Sequence, residues 1–181
     1  FSRIEKYENI SDNMEIEIAK YLNQVSEGRL SSESKLQIRG MLREVTEIES
    51  IGDSCYNLAR TINRKHRGSC DFTEKQYNHI HQMMGLTDDA LTQMIAVVED
   101  SHNTVDVNKS FNIETEINNY RNQLKGQNVV DVNNKEYDYQ MGVHYMDIIG
   151  ECEKLGDYAV NVVEAHRDIK ERKAVSYTHL R

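Results

Sequence analysis

Proline is absent from this chain of 181 residues, and glycine is sparse at nine. With few helix breakers and 29% charged residues at helical spacing, the sequence is expected to be all-α. Basic charge is short as well: 22 Lys and Arg face 30 Asp and Glu, a formal net charge of -8. Phosphate-backbone binders need a basic footprint, so nucleic acid is excluded as a partner. Mean hydropathy is -0.72, no signal peptide is visible, and no apolar run approaches the roughly 20 residues that span a bilayer. The three cysteines, Cys55, Cys70 and Cys152, form no CxxC pair and read as reduced thiols. The sequence also has no G-x-S-x-G, P-loop or H-E-x-x-H and no legible nucleophile–base pairing, so no enzyme is expected. Without a glycine-rich phosphate cradle, no small-molecule substrate is expected to bind directly.

What is present is helical periodicity. Apolar residues recur at three-and-four spacing in five segments. The first runs from about Ser2 to Val25, with Ile4, Ile10, Met14 and Ile18 in its stripe. A serine-rich cap at Ser31 and Ser32 opens the second, which continues to about Lys65 before the basic stretch RKHRGSC. Thr73 is placed to cap the third, which reaches about Ser101. The fourth is expected over Val107 to Lys125, stopped by Gly126, and the fifth over about Lys135 to Arg172. Long amphipathic helices joined by short loops point to an antiparallel bundle. The tail AVSYTHLR leaves this pattern, and residues 174–181 are read as a non-native extension. The chain opens on Phe1 in mid-pattern and is expected to be part of something longer.

One motif occurs twice. Glu47-Ile48-Glu49-Ser50-Ile51-Gly52-Asp53 aligns with Glu151-Cys152-Glu153-Lys154-Leu155-Gly156-Asp157, and Asn57 then aligns with Asn161. A weaker echo relates the first and fourth helices, with Glu8 and Asp12 matching Glu114 and Asn118. A unit of roughly a hundred residues thus appears twice: residues 1–104 hold the first repeat and the start of the second, and residues 105–173 the remainder. Two stacked three-helix bundles are the expected product, with one upstream helix missing.

Residues at i, i+4 and i+8 drift only about 40° per step, so Glu49, Asp53 and Asn57 share a stripe, as do Glu153, Asp157 and Asn161. Like charges at i, i+4 destabilise a helix by about 0.2–0.5 kcal/mol, and the repetition of that cost points to metal binding. Carboxylates suit hard or borderline cations, and an amide oxygen adds a neutral ligand. The candidate ligands are Glu49, Asp53, Glu153, Asp157, Glu8 and Asp12, with Asn57, Asn161 and Glu114 secondary. The competing reading pairs these acids with Arg39, Arg43, Arg60 or Arg121.

The duplicated E-x-x-[aliphatic]-G-D-x-x-x-N motif resembles that of the PhoU family, over nearly all of Ser2 to Lys173. The resemblance implies tandem three-helix bundles whose E/D-x-x-x-D motifs hold iron, zinc or manganese. Asn118 departs from the pattern, putting an amide where an acid is expected. Family members are regulators of phosphate uptake, either free or as cytoplasmic C-terminal regions of sodium/phosphate cotransporters. The opening helix is similar to the transporter-linked form. That form implies a regulatory module on the cytoplasmic side of an inner-membrane protein, partnered by the transporter portion of its own chain, with a homodimer as a further partner. The alternative is a stand-alone phosphate-signalling adaptor acting on a phosphate ABC transporter and sensor kinase. Glu99 and His102 form a single E-x-x-H, and a di-iron site needs two. His79 and His81 lie about 200° apart on a helix, so they do not share one ion.

Overall fold

The computed structural model describes residues 1–66 and 71–178, which form α1 (Ser2–Ser26), α2 (Ser32–His66), α3 (Glu74–Glu99), α4 (Asn108–Asn133) and α5 (Tyr139–Thr178). A side chain just ahead of α2, α3 and α5 accepts a first-turn N–H group. Ser31 Oγ accepts from Ser34 N at 3.1 Å ahead of α2. Thr73 forms a full capping box with Gln76 at α3. Asp138 Oδ1 accepts from Met141 N at 2.7 Å ahead of α5. No strand occurs among the described residues.

The core lies between α3, α4 and α5. Met83, Ile117, Leu124, Tyr145, Ile149 and Cys152 are each buried there, and full burial of such an aliphatic side chain contributes about 1.5–3 kcal/mol. α4 runs antiparallel to α5, with Arg121 reaching Glu153 and Asn128 beside Gly142. On the other side α2 runs antiparallel to the later part of α5 along a polar seam. There Ser54 meets Glu151, Glu47 meets Asn161, and Glu44 meets His166. α1 packs on α2 and on no other helix among the described residues. It leaves Tyr7, Met14, Ile16 and Tyr21 exposed. The described chain is therefore one closed three-helix bundle, α3–α4–α5, with α2 laid along α5 and α1 packed on α2.

Three expected boundaries are corrected. α4 does not stop at Gly126 but continues to Asn133. A glycine in a helix interior costs about 1 kcal/mol, and burial of Leu124 two residues before it offsets that. Asp131 accepts from Lys75 Nζ at 3.0 Å and from Gln127 Nε2 at 2.7 Å, which fixes the added turns. The turn after α4 then takes Lys135 at φ 61, so α5 starts at Tyr139 rather than Lys135. At its far end α5 extends to Thr178, past Arg172, because KAVSYT holds neither Gly nor Pro to stop it. Residues 179–181 of the expected tail, and Cys70 with its neighbours 67–69, lie outside the described residues.

Candidate metal centre

In the motif's first copy Gly52 and Asp53 face α1, while Glu47 and Ser54 turn to α5. One carboxylate oxygen from each of Glu8, Asp12 and Asp53 lies within 4.8 Å of the other two. Glu49 stands beside them: burial first, then the charges of Asp53, Asp12 and Glu15, raise its carboxyl above the ordinary value. Glu8 is raised in the same sense, by desolvation and then by Asp12, Asp53 and Glu5. Asp12 Oδ1 is buried with no hydrogen-bond partner, an arrangement that is costly unless a cation or proton supplies the missing interaction. The helices come close enough to share these acids because Gly52 has no side chain. A β-carbon there would lie 3.3 Å from both Cβ and Oγ of Ser11.

The second copy has the same scaffold but a different electrostatic content. A β-carbon at Gly156 would lie 2.8 Å from Cδ1 of Ile117, so α4 meets α5 as α1 meets α2. Here, however, Arg121 Nη2 donates to Glu153 Oε1 at 2.8 Å. Burial, then Glu153 and Glu114, push the Asp157 carboxyl up to about 6, with Arg121 pulling in the opposite direction. Asn118 donates to Glu114 instead of adding a third acid. The arginine already supplies this cluster with a positive charge, so the all-oxygen donor set expected of a metal site fits the α1–α2 copy and not this one.

The candidate ligands thus divide. Glu8, Asp12 and Asp53 are brought together with Glu49 nearby, while Glu114, Glu153 and Asp157 gather around Arg121. The amides are engaged elsewhere: Asn57 Oδ1 accepts from Arg60 at 2.8 Å, and Asn161 donates to Glu47 at 3.0 Å. Arg43 pairs with Glu164 rather than with either motif. Glu15, which adds to the field at Glu49, was not among the candidates, though it follows Asp12 by one helical step of three. Of the remaining histidines, His79 Nδ1 bonds the Tyr145 hydroxyl at 2.9 Å beside buried Met83, and His81 is exposed.

Residues 80–165 match the PhoU domain family. No curated protein sequence matches the chain. The structure is similar to the crystal structure of the phosphate transport system regulatory protein PhoU from Streptococcus pneumoniae. That likeness has a TM-score of 0.72 and 17% identity, and it covers 93% of this chain and 78% of that one. At that identity it establishes the fold alone, and the family match extends over residues 80–165. The chain is therefore a helical protein with a PhoU-like fold, of which residues 80–165 match the PhoU domain family.

Proposed function

We propose that this chain is a regulatory module of phosphate homeostasis that acts by docking rather than catalysis and carries a metal at the α1–α2 acid cluster. The observation that carries the regulatory reading is the PhoU domain, set in a fold shared with a phosphate transport regulator over most of both chains. The likeness to a phosphate transport system regulatory protein supports a stand-alone adaptor acting on a phosphate transporter and its sensor kinase, with a module fused to a sodium/phosphate cotransporter as the other reading. Among the described residues no helix is long and apolar enough to cross a membrane. In cells lacking a phosphate regulator of this type, expression of the chain is expected to restore phosphate control of uptake. Uptake unchanged by the chain at high and low phosphate would refute the regulatory reading.

For the metal, Glu8, Asp12, Glu49 and Asp53 supply only carboxylate oxygens, which suit manganese or iron better than zinc. The bound cation would offset much of the negative charge gathered there and join α1 to α2. Purified protein is expected to hold manganese or iron, and the Glu8→Gln/Asp12→Asn/Asp53→Asn variant to lose it, as read by elemental mass spectrometry. Asp157→Asn should leave the content unchanged. Equal metal in the triple variant would leave the cluster as packing alone.

A further inference from the structure

The two copies of the motif superpose position by position, because a glycine anchors each. Ser11 fits against Gly52 as Ile117 fits against Gly156. Counted from Ser11 and Ile117, Glu8 matches Glu114 three residues before, Asp12 matches Asn118 one residue after, and Glu15 matches Arg121 four residues after. Counted from the two glycines, Glu49 matches Glu153 three residues before, and Asp53 matches Asp157 one residue after. Spacings of three and four keep Glu8, Ser11, Asp12 and Glu15 on one face of α1, and their counterparts on one face of α4. Five polar positions therefore flank each helix contact. The α1–α2 copy fills all five with carboxylates, whereas the α4–α5 copy has three carboxylates, an amide and a guanidinium.

The exchange falls on a pair of positions that face each other across the helices. In the first copy Glu15 adds, after burial and the charges of Asp53 and Asp12, to what raises the Glu49 carboxyl. In the second, Arg121 Nη2 donates to Glu153 Oε1 at 2.8 Å. The same two positions thus repel in one copy and attract in the other. Arg121 Nη1 turns to Asn122 Oδ1 at 3.0 Å, and its Nε is buried without a partner. A guanidinium that gives the cluster one hydrogen bond acts there chiefly through its charge. The other exchanged residue, Asn118, donates to Glu114 and removes a charge that a cation would otherwise have to balance. Oxygens of Glu8, Asp12 and Asp53 converge within 4.8 Å, and no other such group occurs among the described residues.

We propose that Arg121 is the chain's own replacement for a metal ion, a tethered cation that holds α4 against α5 through Glu153, so that the second copy needs no metal and takes none. The clamp on α4–α5 is then permanent, whereas the clamp on α1–α2 comes and goes with its ion. That contrast rests on the metal reading of the first cluster; the role of Arg121 stands without it. The test uses the full chain carrying Glu8→Gln/Asp12→Asn/Asp53→Asn, in which the first cluster has lost its converging acids, and manganese is the probe. This background is expected to retain no manganese by elemental mass spectrometry and to show no shift of its unfolding midpoint with the ion. Adding Asn118→Asp/Arg121→Gln restores the acid and withdraws the tethered charge. That variant is expected to retain about one manganese per chain and to gain several degrees in midpoint at millimolar manganese. Arg121→Gln alone should bind the ion roughly tenfold more weakly than the double variant, the loss of one charged contact. Arg121→Lys keeps the charge and should bind none, a difference from glutamine that a mere packing role for Arg121 would not produce. The two single variants decide the matter if the double variant does not fold with or without the ion. Manganese held by the second copy with Arg121 in place, none held by a folded glutamine variant, or equal uptake by the lysine and glutamine variants would each overturn the proposal. Failure of the first cluster to hold metal, read in the unmodified protein, is a separate result.

Discussion

Truncating Ile117 to alanine is expected to lower unfolding free energy by about 2–5 kcal/mol, measured by urea denaturation, because it opens a cavity at a position with no solvent exposure. Ile117 is also the side chain against which Gly156 fits, and this gives the prediction a second arm. Gly156→Ala gains about 1 kcal/mol of helix propensity but forces a β-carbon to within 2.8 Å of Ile117 Cδ1, and overpacking of that kind costs about 1–3 kcal/mol. A net loss is expected in the native background. Ile117→Val removes Cδ1 and leaves Cγ2, at 3.5 Å, as the nearest atom. In that background the same alanine should become neutral or stabilising, a coupling that a double-mutant cycle reads directly. Additive effects would show that α4 and α5 do not meet at this glycine.

Asp157→Asn is expected to stabilise the metal-free protein at neutral pH, by on the order of 1–2 kcal/mol once solvent screening of a half-buried group is allowed for. Burial, Glu153 and Glu114 hold the carboxyl at about 6 in the folded chain against an ordinary 3.8. Below about pH 4 it is protonated in both folded and unfolded chains, and the substitution should change little. As pH rises from about 4 to 6 the unfolded chain releases this proton first, so folded stability falls, and above about 6 the full loss is present. Unfolding midpoints collected across that window should diverge between native and variant protein with increasing pH. Divergence in the opposite sense would mean that Arg121, and not the neighbouring acids, dominates the site.

Individual helices were more legible in the sequence than their pairings. Glu47–Asn57 and Glu151–Asn161 lie within single helices, so spacing alone aligned them, and Thr73 with Gln76 marked the start of α3 by a local bond. Helical phase gives the side on which Glu49 and Asp53 lie, but not that α1 is the helix across from them. That depends on Ser11 fitting against Gly52, a contact 41 positions apart in the chain. Gly126 misled because propensity is a local quantity, whereas burial of Leu124 and Asp131 is set by α3 and α5. Arg121 was among the arginines expected to pair with these acids, and it follows Glu114 by seven residues, two helical turns on the same face. Its role as the cation of the second copy required the distance to Glu153.

Among the described residues α1 has a single neighbour, whereas α5 is shared by α2, α3 and α4. Hydrogen exchange should therefore separate the chain into two levels. Amides of α1 would open by detachment from α2 with everything else intact, and those around Ile149 and Val163 would open only when the whole chain unfolds. A cation held between Glu8, Asp12 and Asp53 acts on the weaker of those levels, so its concentration sets how long α1 stays docked while leaving the α3–α4–α5 bundle untouched.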